Sequence, residues 1–224
     1  NEDGTWGLET TIDLDDSDEI VDISIAANRL VIAQEDSGLT VHRRNTSGSW
    51  SEESMDNLSS SNKTFLSVDN IEVDSGDDLI VCINDDGVRG FQTMNYEWNG
   101  FAFRWELSDT FMLSSGSPST WGQNVEMGSG RAVVSAEGST APPTFDGSCF
   151  IYSEVIPGNW SYQAAIDPPT GVTEAEFGSS ISLDGDRLAV GAPGVNLGFV
   201  TDSTVSIFEP GMFGIWTAQD VIIG

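Results

Sequence analysis

Between Asp13 and Glu19 the chain sets five carboxylates in seven residues, at Asp13, Asp15, Asp16, Asp18 and Glu19. Oxygen ligands at that density suit calcium, which takes about six to eight of them around one point. The run lacks the glycine that bends a tight calcium loop, so a solvated acidic connector is the competing reading. Asn84, Asp85, Asp86 and Gly87 make a second such set, although this composition marks a turn first. Four Asn-x-Ser/Thr sequons, at Asn45, Asn57, Asn62 and Asn159, are glycosylation acceptors if the chain passes through a eukaryotic secretory route.

Other chemistries lack parts. The one histidine, His42, sits in the alternating stretch Leu39-Thr40-Val41-His42 and has no nucleophile or carboxylate at a recognisable spacing. With Cys82 and Cys149 it cannot make a structural zinc site of the usual ligand type. Cys82 lies in the apolar run Leu-Ile-Val-Cys-Ile, where a buried thiol is the simplest expectation; a bridge to Cys149 is the alternative. Glycoside hydrolysis needs two carboxylates, but 36 acidic residues guarantee close pairs, so no pair stands out. The expectation is a chain that is not an enzyme and needs no cofactor, calcium excepted.

The formal charge of −28 repels phosphate backbones and anionic lipid, which argues against nucleic-acid and membrane-surface partners. It also opposes compaction unless salt or divalent ions screen it. No apolar run approaches the roughly 18 residues of a membrane-spanning helix. The opening Asn-Glu-Asp-Gly-Thr-Trp is no signal peptide; a processed start and an excerpt from a longer chain both fit it.

An internal repeat positions these residues. The apolar segments RLVIA, LIVCI, RAVVSA and RLAVGA recur at roughly 50-residue intervals, placing Leu30, Leu79, Ala132 and Leu188 in register. Each run is short and rich in Val and Ile, hence strand, and is apolar at consecutive positions, hence covered on both faces. A turn precedes each: Ala27-Asn28, Ser75-Gly76, Ser129-Gly130 and Asp184-Gly185. An aromatic residue opens each fourth segment, at Trp50, Phe101, Trp160 and Trp216, and recurrence suggests a core position. In the last three an aliphatic follows six places on, at Leu107, Ile166 and Ile222. Such units predict an all-β propeller of four-stranded antiparallel blades, over residues 20–58, 66–107, 121–166 and 177–223. Trp6 and Ile12 repeat the fourth-strand spacing, so residues 1–13 are expected to be the fourth strand of a preceding blade or of a partner's blade.

Phe177-Gly178 and Gly191-Ala192-Pro193 resemble the FG-GAP repeat of integrin α-subunit propellers, also common in secreted proteins of marine microbes. Trp121-Gly122 with Ser135-Ala136 is a fair copy; the first two units follow the layout without the motif. The resemblance implies a propeller with a binding or adhesive role. It also implies calcium in the hairpin between first and second strands, in Asp-rich loops. This chain departs there: a two-residue turn such as that at Asp184-Gly185 cannot supply six oxygens, so those sites are not carried over. The expected function is an extracellular, non-enzymatic adhesion or structural module with protein partners or self-assembly. A ligand- or glycan-binding propeller is the alternative, and a glycan-active enzyme the weaker one. The loops at residues 138–147 and 193–202 are the candidate binding surface, since loops vary freely and carry contacts.

Overall fold

A computed structural model describes residues 7–14, 18–35, 38–53, 55, 63–73, 76–98, 100–113, 120–137, 147–156, 158–169, 176–196 and 201–223. Those residues form four consecutive four-stranded antiparallel sheets, each in simple sequence order. Blade 1 is β1 (Ile20–Ala26), β2 (Arg29–Gln34), β3 (Gly38–Arg44) and β4 (Trp50–Glu52). Blade 2 is β5 (Lys63–Val73), β6 (Gly76–Asp85), β7 (Val88–Trp98) and β8 (Phe103–Met112). Blade 3 is β9 (Trp121–Gly128), β10 (Arg131–Ala136), β11 (Ser148–Ile156) and β12 (Asn159–Ile166). Blade 4 is β13 (Ser180–Asp184), β14 (Arg187–Asn196), β15 (Thr201–Pro210) and β16 (Trp216–Ile223). This is the β-propeller arrangement that the repeat predicts.

The doubly apolar second strands explain the stacking. On β6, Leu79, Val81 and Ile83 join Val31, Ala33, Leu39 and Val41 of blade 1. The alternate residues, Ile80 and Cys82, join Val125, Ala132 and Val134 of blade 3. On β10, Val133 turns the other way and meets Leu188 and Val190 of blade 4. Successive side chains of a strand point to opposite faces, so a continuous apolar strand is stable only between two sheets. Each fully buried Val, Leu or Ile contributes about 1.5–3 kcal/mol of transfer free energy.

Pairing confirms the predicted register. Leu30, Leu79, Ala132 and Leu188 lie opposite His42, Met94, Tyr152 and Phe208 on the third strands. The β9–β10 turn uses Ser129 and Gly130, both at positive φ, as a type I′ hairpin requires. In blade 4 the two-residue turn is Gly185-Asp186, one place beyond Asp184-Gly185, because Asp184 already pairs with Arg187. Likewise Gly76 pairs with Val73 and so belongs to β6, not to the turn.

Two expectations fail. Phe101 is not a core position; it is 92% exposed. The longer β7–β8 hairpin puts Trp105 opposite Tyr96, as Trp160 lies opposite Glu154, and Trp105 is the buried residue. Phe111 then replaces the exposed Leu107 as the counterpart of Ile166, and it packs in the blade 2–blade 3 core. Trp50 and Trp216 are only half-buried. The second failure is at the N-terminus. Residues 7–14 form no strand, and residues 1–6 lie outside the described set. Strand geometry needs a ladder partner, and among the described residues this segment has none. It runs beside β3 and β4, where Glu9 Oε1 accepts from Arg44 Nε and from Trp50 Nε1 at 3.3 Å.

Candidate functional site

The first strands pack in series, β1 on β5, β5 on β9 and β9 on β13. Their alternation divides labour. Val68, Val125 and Ile181 point into the three inter-blade cores. The polar residues between them reach across to the next blade. Ser67 Oγ donates to the carbonyl of Gly122 at 2.8 Å, and Asn124 Nδ2 donates to that of Gly178 at 3.0 Å. Two residues further on, Asp69 Oδ2 accepts the backbone N–H of Met127 at 2.7 Å, and the Glu126 carboxylate accepts that of Leu183. The same pair of latches is therefore repeated at consecutive junctions. At the first junction Asp22 Oδ2 accepts from Val68 N at 2.9 Å, and Ser24 Oγ donates to Asp69 Oδ1 at 2.8 Å.

These side chains enclose a polar recess of about 170 Å³, lined by Asp22, Ser24, Asp69, Asn124 and Glu126. Burial, followed by repulsion from Asp69 and Asp22, pushes the Glu126 carboxyl up to about 7; the Leu183 N–H opposes this. Carboxylates from three blades thus meet at one place, and each is engaged by a neighbouring blade.

A second polar cluster ties blade 1 to blade 2. Arg29 forks onto Glu53, with Nε to Oε2 at 2.7 Å and Nη2 to Oε1 at 3.2 Å. Trp105 Nε1 donates to the same Oε2 at 3.1 Å, and the guanidinium lies 4.2 Å above the Tyr96 ring. Both charged groups are buried, so the pair survives only because the charges are matched to each other and hydrogen-bonded.

The FG-GAP residues form a third junction. Phe177 is buried against Phe208, with ring centroids 5.9 Å apart and edge-to-face. Gly178, at φ +94°, donates its N–H to the carbonyl of Gly191 at 3.0 Å. A Cβ there would stand 3.1 Å from that of Ser135 in blade 3, and one on Gly191 would strike Ser180 Oγ. Ala192 is buried and Pro193 is exposed. The two halves of the motif therefore touch each other, and their residue types answer close approach and left-handed backbone.

The other predicted sites lie partly outside the described residues. Asp13 is exposed and Asp18 half-buried, while Asp15 and Asp16 lie outside the described residues. Among the described residues no group of three or more His, Cys, Asp or Glu side chains is arranged to hold a metal ion. Asn84 and Asp85 end β6, and the two residues after them close its hairpin to β7, with Asp86 and Gly87 both at positive φ. Asn45 is exposed, its Oδ1 accepting from the Ser47 and Ser49 amides in the β3–β4 turn. Asn159 is the exposed first residue of β12; Asn57 and Asn62 fall outside the described set. Cys82 and Cys149 are free, buried in different cores, and burial pushes both thiols up, Cys82 to about 12. Of the candidate binding loops, residues 138–146 and 197–200 are outside the described residues. The latch residues were missed because their partners are main-chain groups more than 50 residues away. Their one signal, polar residues alternating with Val and Ile on a first strand, is common to any half-buried strand.

Residues 160–204 match the family model described as FG-GAP repeat. No curated protein matches the chain. Among solved structures, a β-fructofuranosidase from Schwanniomyces occidentalis aligns at 9% identity and TM-score 0.47, over 88% of this chain and 43% of its own. An α-L-arabinofuranosidase from Clostridium thermocellum aligns at 10% identity and TM-score 0.47, over 91% and 72%. The chain spans less than half the length of the first, and likeness at this level assigns no chemistry. The matched segment runs from β12 of blade 3 into β15 of blade 4, so the junction held by Phe177, Gly178 and Gly191 lies within it. The chain thus carries an FG-GAP repeat, set in a series of four β-propeller blades.

Proposed function

We propose that this protein is an extracellular, non-enzymatic module of a cell-surface or filament assembly, acting through protein contacts. One observation carries the reading. The three carboxylates that converge, Asp22, Asp69 and Glu126, each accept a main-chain N–H from the adjacent blade. Groups so committed hold blades together; a general acid and a nucleophile would need their oxygens free for substrate. The acidic composition and the exposed Asn45 and Asn159 sequons support an extracellular setting, and no described helix is long and apolar enough to cross a membrane.

A ligand- or glycan-binding role is the second reading, favoured by exposed aromatics at the β7–β8 turn. Phe101 is almost wholly exposed there, and Phe103 stacks on Tyr96 with centroids 5.7 Å apart. Rings presented in this way suit sugar faces or apolar side chains. Retention on glycan and matrix-protein arrays, with Phe101→Ala as control, tests it. Turnover of aryl glycosides or polysaccharides that disappears in Glu126→Gln would sink the non-enzymatic reading.

A further inference from the structure

We propose that Glu126 and the Leu183 N–H form a proton-operated catch between blades 3 and 4, closed while the polar recess holds a proton and open once that proton is lost. One recess of about 170 Å³ takes carboxylates from three successive first strands, Asp22 of β1, Asp69 of β5 and Glu126 of β9. Among the described residues no Lys, Arg or His lines it, so no side-chain cation there offsets three negative charges. Asp69 and Asp22 are the charged groups that face Glu126. From β13 come the Leu183 N–H and Ile181, and β10 sets Val133 opposite it. Like charges gathered out of water disfavour full ionisation, so one carboxyl keeps its proton to higher pH than it would in solvent.

The donors decide which carboxyl that is. Asp22 is held at both oxygens, Oδ2 accepting from Val68 N and Oδ1 from Ile23 N, each at 2.9 Å. Asp69 is held likewise, Oδ2 accepting from Met127 N at 2.7 Å and Oδ1 from Ser24 Oγ at 2.8 Å. Among the described contacts Glu126 has the Leu183 N–H alone. Each donor favours the ionised form, so the least-held carboxylate takes the proton. Protonated, Glu126 still accepts from Leu183 through its carbonyl oxygen. Ionised, it is a third negative charge in the recess. The side chain is half-buried, so rotation carries it out to water and leaves Leu183 without its acceptor. The Asn124 bonds to the carbonyls of Gly178 and Ser179, at 3.0 and 3.2 Å, are not involved, so blade 4 loosens at one end and stays docked. In the closed state the Glu126 carboxyl is pushed from 4.5 to about 7, chiefly by burial and then by Asp69 and Asp22. Opening therefore releases a proton, and the ratio of open to closed rises with pH between 4.5 and about 7 and is level above.

The catch stands apart from the assembly reading above and is tested without a partner. Amide hydrogen exchange resolved by NMR, in chelator from about pH 5 to 8 and corrected for intrinsic rates, reads single junctions where a melting curve reads the whole protein. Protection at Leu183 should fall about tenfold over that range. The amides held by Asp22 and Asp69, those of Val68 and Met127, should keep theirs and serve as internal controls. In Glu126→Gln, whose amide oxygen still accepts from Leu183, protection there should be flat across the same range. In Asp69→Asn, which keeps an acceptor for Met127, the fall at Leu183 should shrink about twofold or more, because a neighbouring charge is gone. Leu183 protection that is flat in the wild-type chain, or that still falls in Glu126→Gln, would refute the catch. An equal fall at Val68 and Met127 would refute it too, since general charge repulsion would then loosen every junction alike. An undiminished fall in Asp69→Asn would overturn the role given to the gathered carboxylates.

Discussion

Replacing Glu126 by Gln should stabilise this protein above neutral pH. Glu126 carries a carboxyl pushed from 4.5 to about 7 by burial and by Asp69 and Asp22, while its oxygen accepts the Leu183 N–H. The native state therefore holds a proton between pH 4.5 and about 7 that the unfolded chain has released. Stability from this group falls as pH rises through that window and is level above it. A shift of that size corresponds to about 3 kcal/mol at about 1.4 kcal/mol per pH unit. Because the group is half-exposed, solvent screening reduces this to about 1–2 kcal/mol. Gln removes the charge but leaves an amide oxygen to accept from Leu183. Urea unfolding followed by circular dichroism, from pH 4.5 to 8 in chelator, gives the difference between the two proteins and cancels the other carboxylates. The variant should gain about 1–2 kcal/mol at pH 8 relative to pH 4.5. A variant less stable than wild type at pH 8 would falsify the reasoning, because the ionised carboxylate would then be a net stabiliser at the junction.

Glu53→Ala should cost about 3–5 kcal/mol in the same assay, since it strands the buried Arg29 guanidinium beside Trp105. A loss under about 1 kcal/mol would mean that water reaches Arg29. Gly178→Ala should cost about 1–3 kcal/mol more than Gly130→Ala. Both glycines have positive φ, but only the first has a neighbour, Ser135, in the way of a Cβ. Ellman's reagent should label Cys82 and Cys149 only on unfolding, at a rate that follows denaturant; fast labelling of the native protein would contradict their burial. Sodium chloride should raise the melting temperature by screening the net charge of −28. A further rise with calcium at equal ionic strength would point to Asp13, Asp15, Asp16 and Asp18 as a cation site.

The blade count and the register of the second strands were legible because consecutive apolar residues such as Leu79 to Ile83 admit one physical solution, a sheet on each side. The Phe-Gly and Gly-Ala-Pro pairs were legible for a similar reason: their backbone conformations and close contacts exclude most other residues. The fourth-strand aromatic of blade 2 was not. Asn95 to Trp105 holds several aromatics, and hairpin length, which sequence does not display, selects Trp105 over Phe101. Residues 7–14 kept a strand-like pattern without a ladder, since a strand exists only where another offers hydrogen bonds. The latches were decided by tertiary structure alone. Ser67, Asp69, Asn124 and Glu126 are ordinary polar residues, and nothing local marks them. They act on carbonyls and amides one blade away, and only stacking brings a main-chain group on the next repeat within about 3 Å of a side chain on this one.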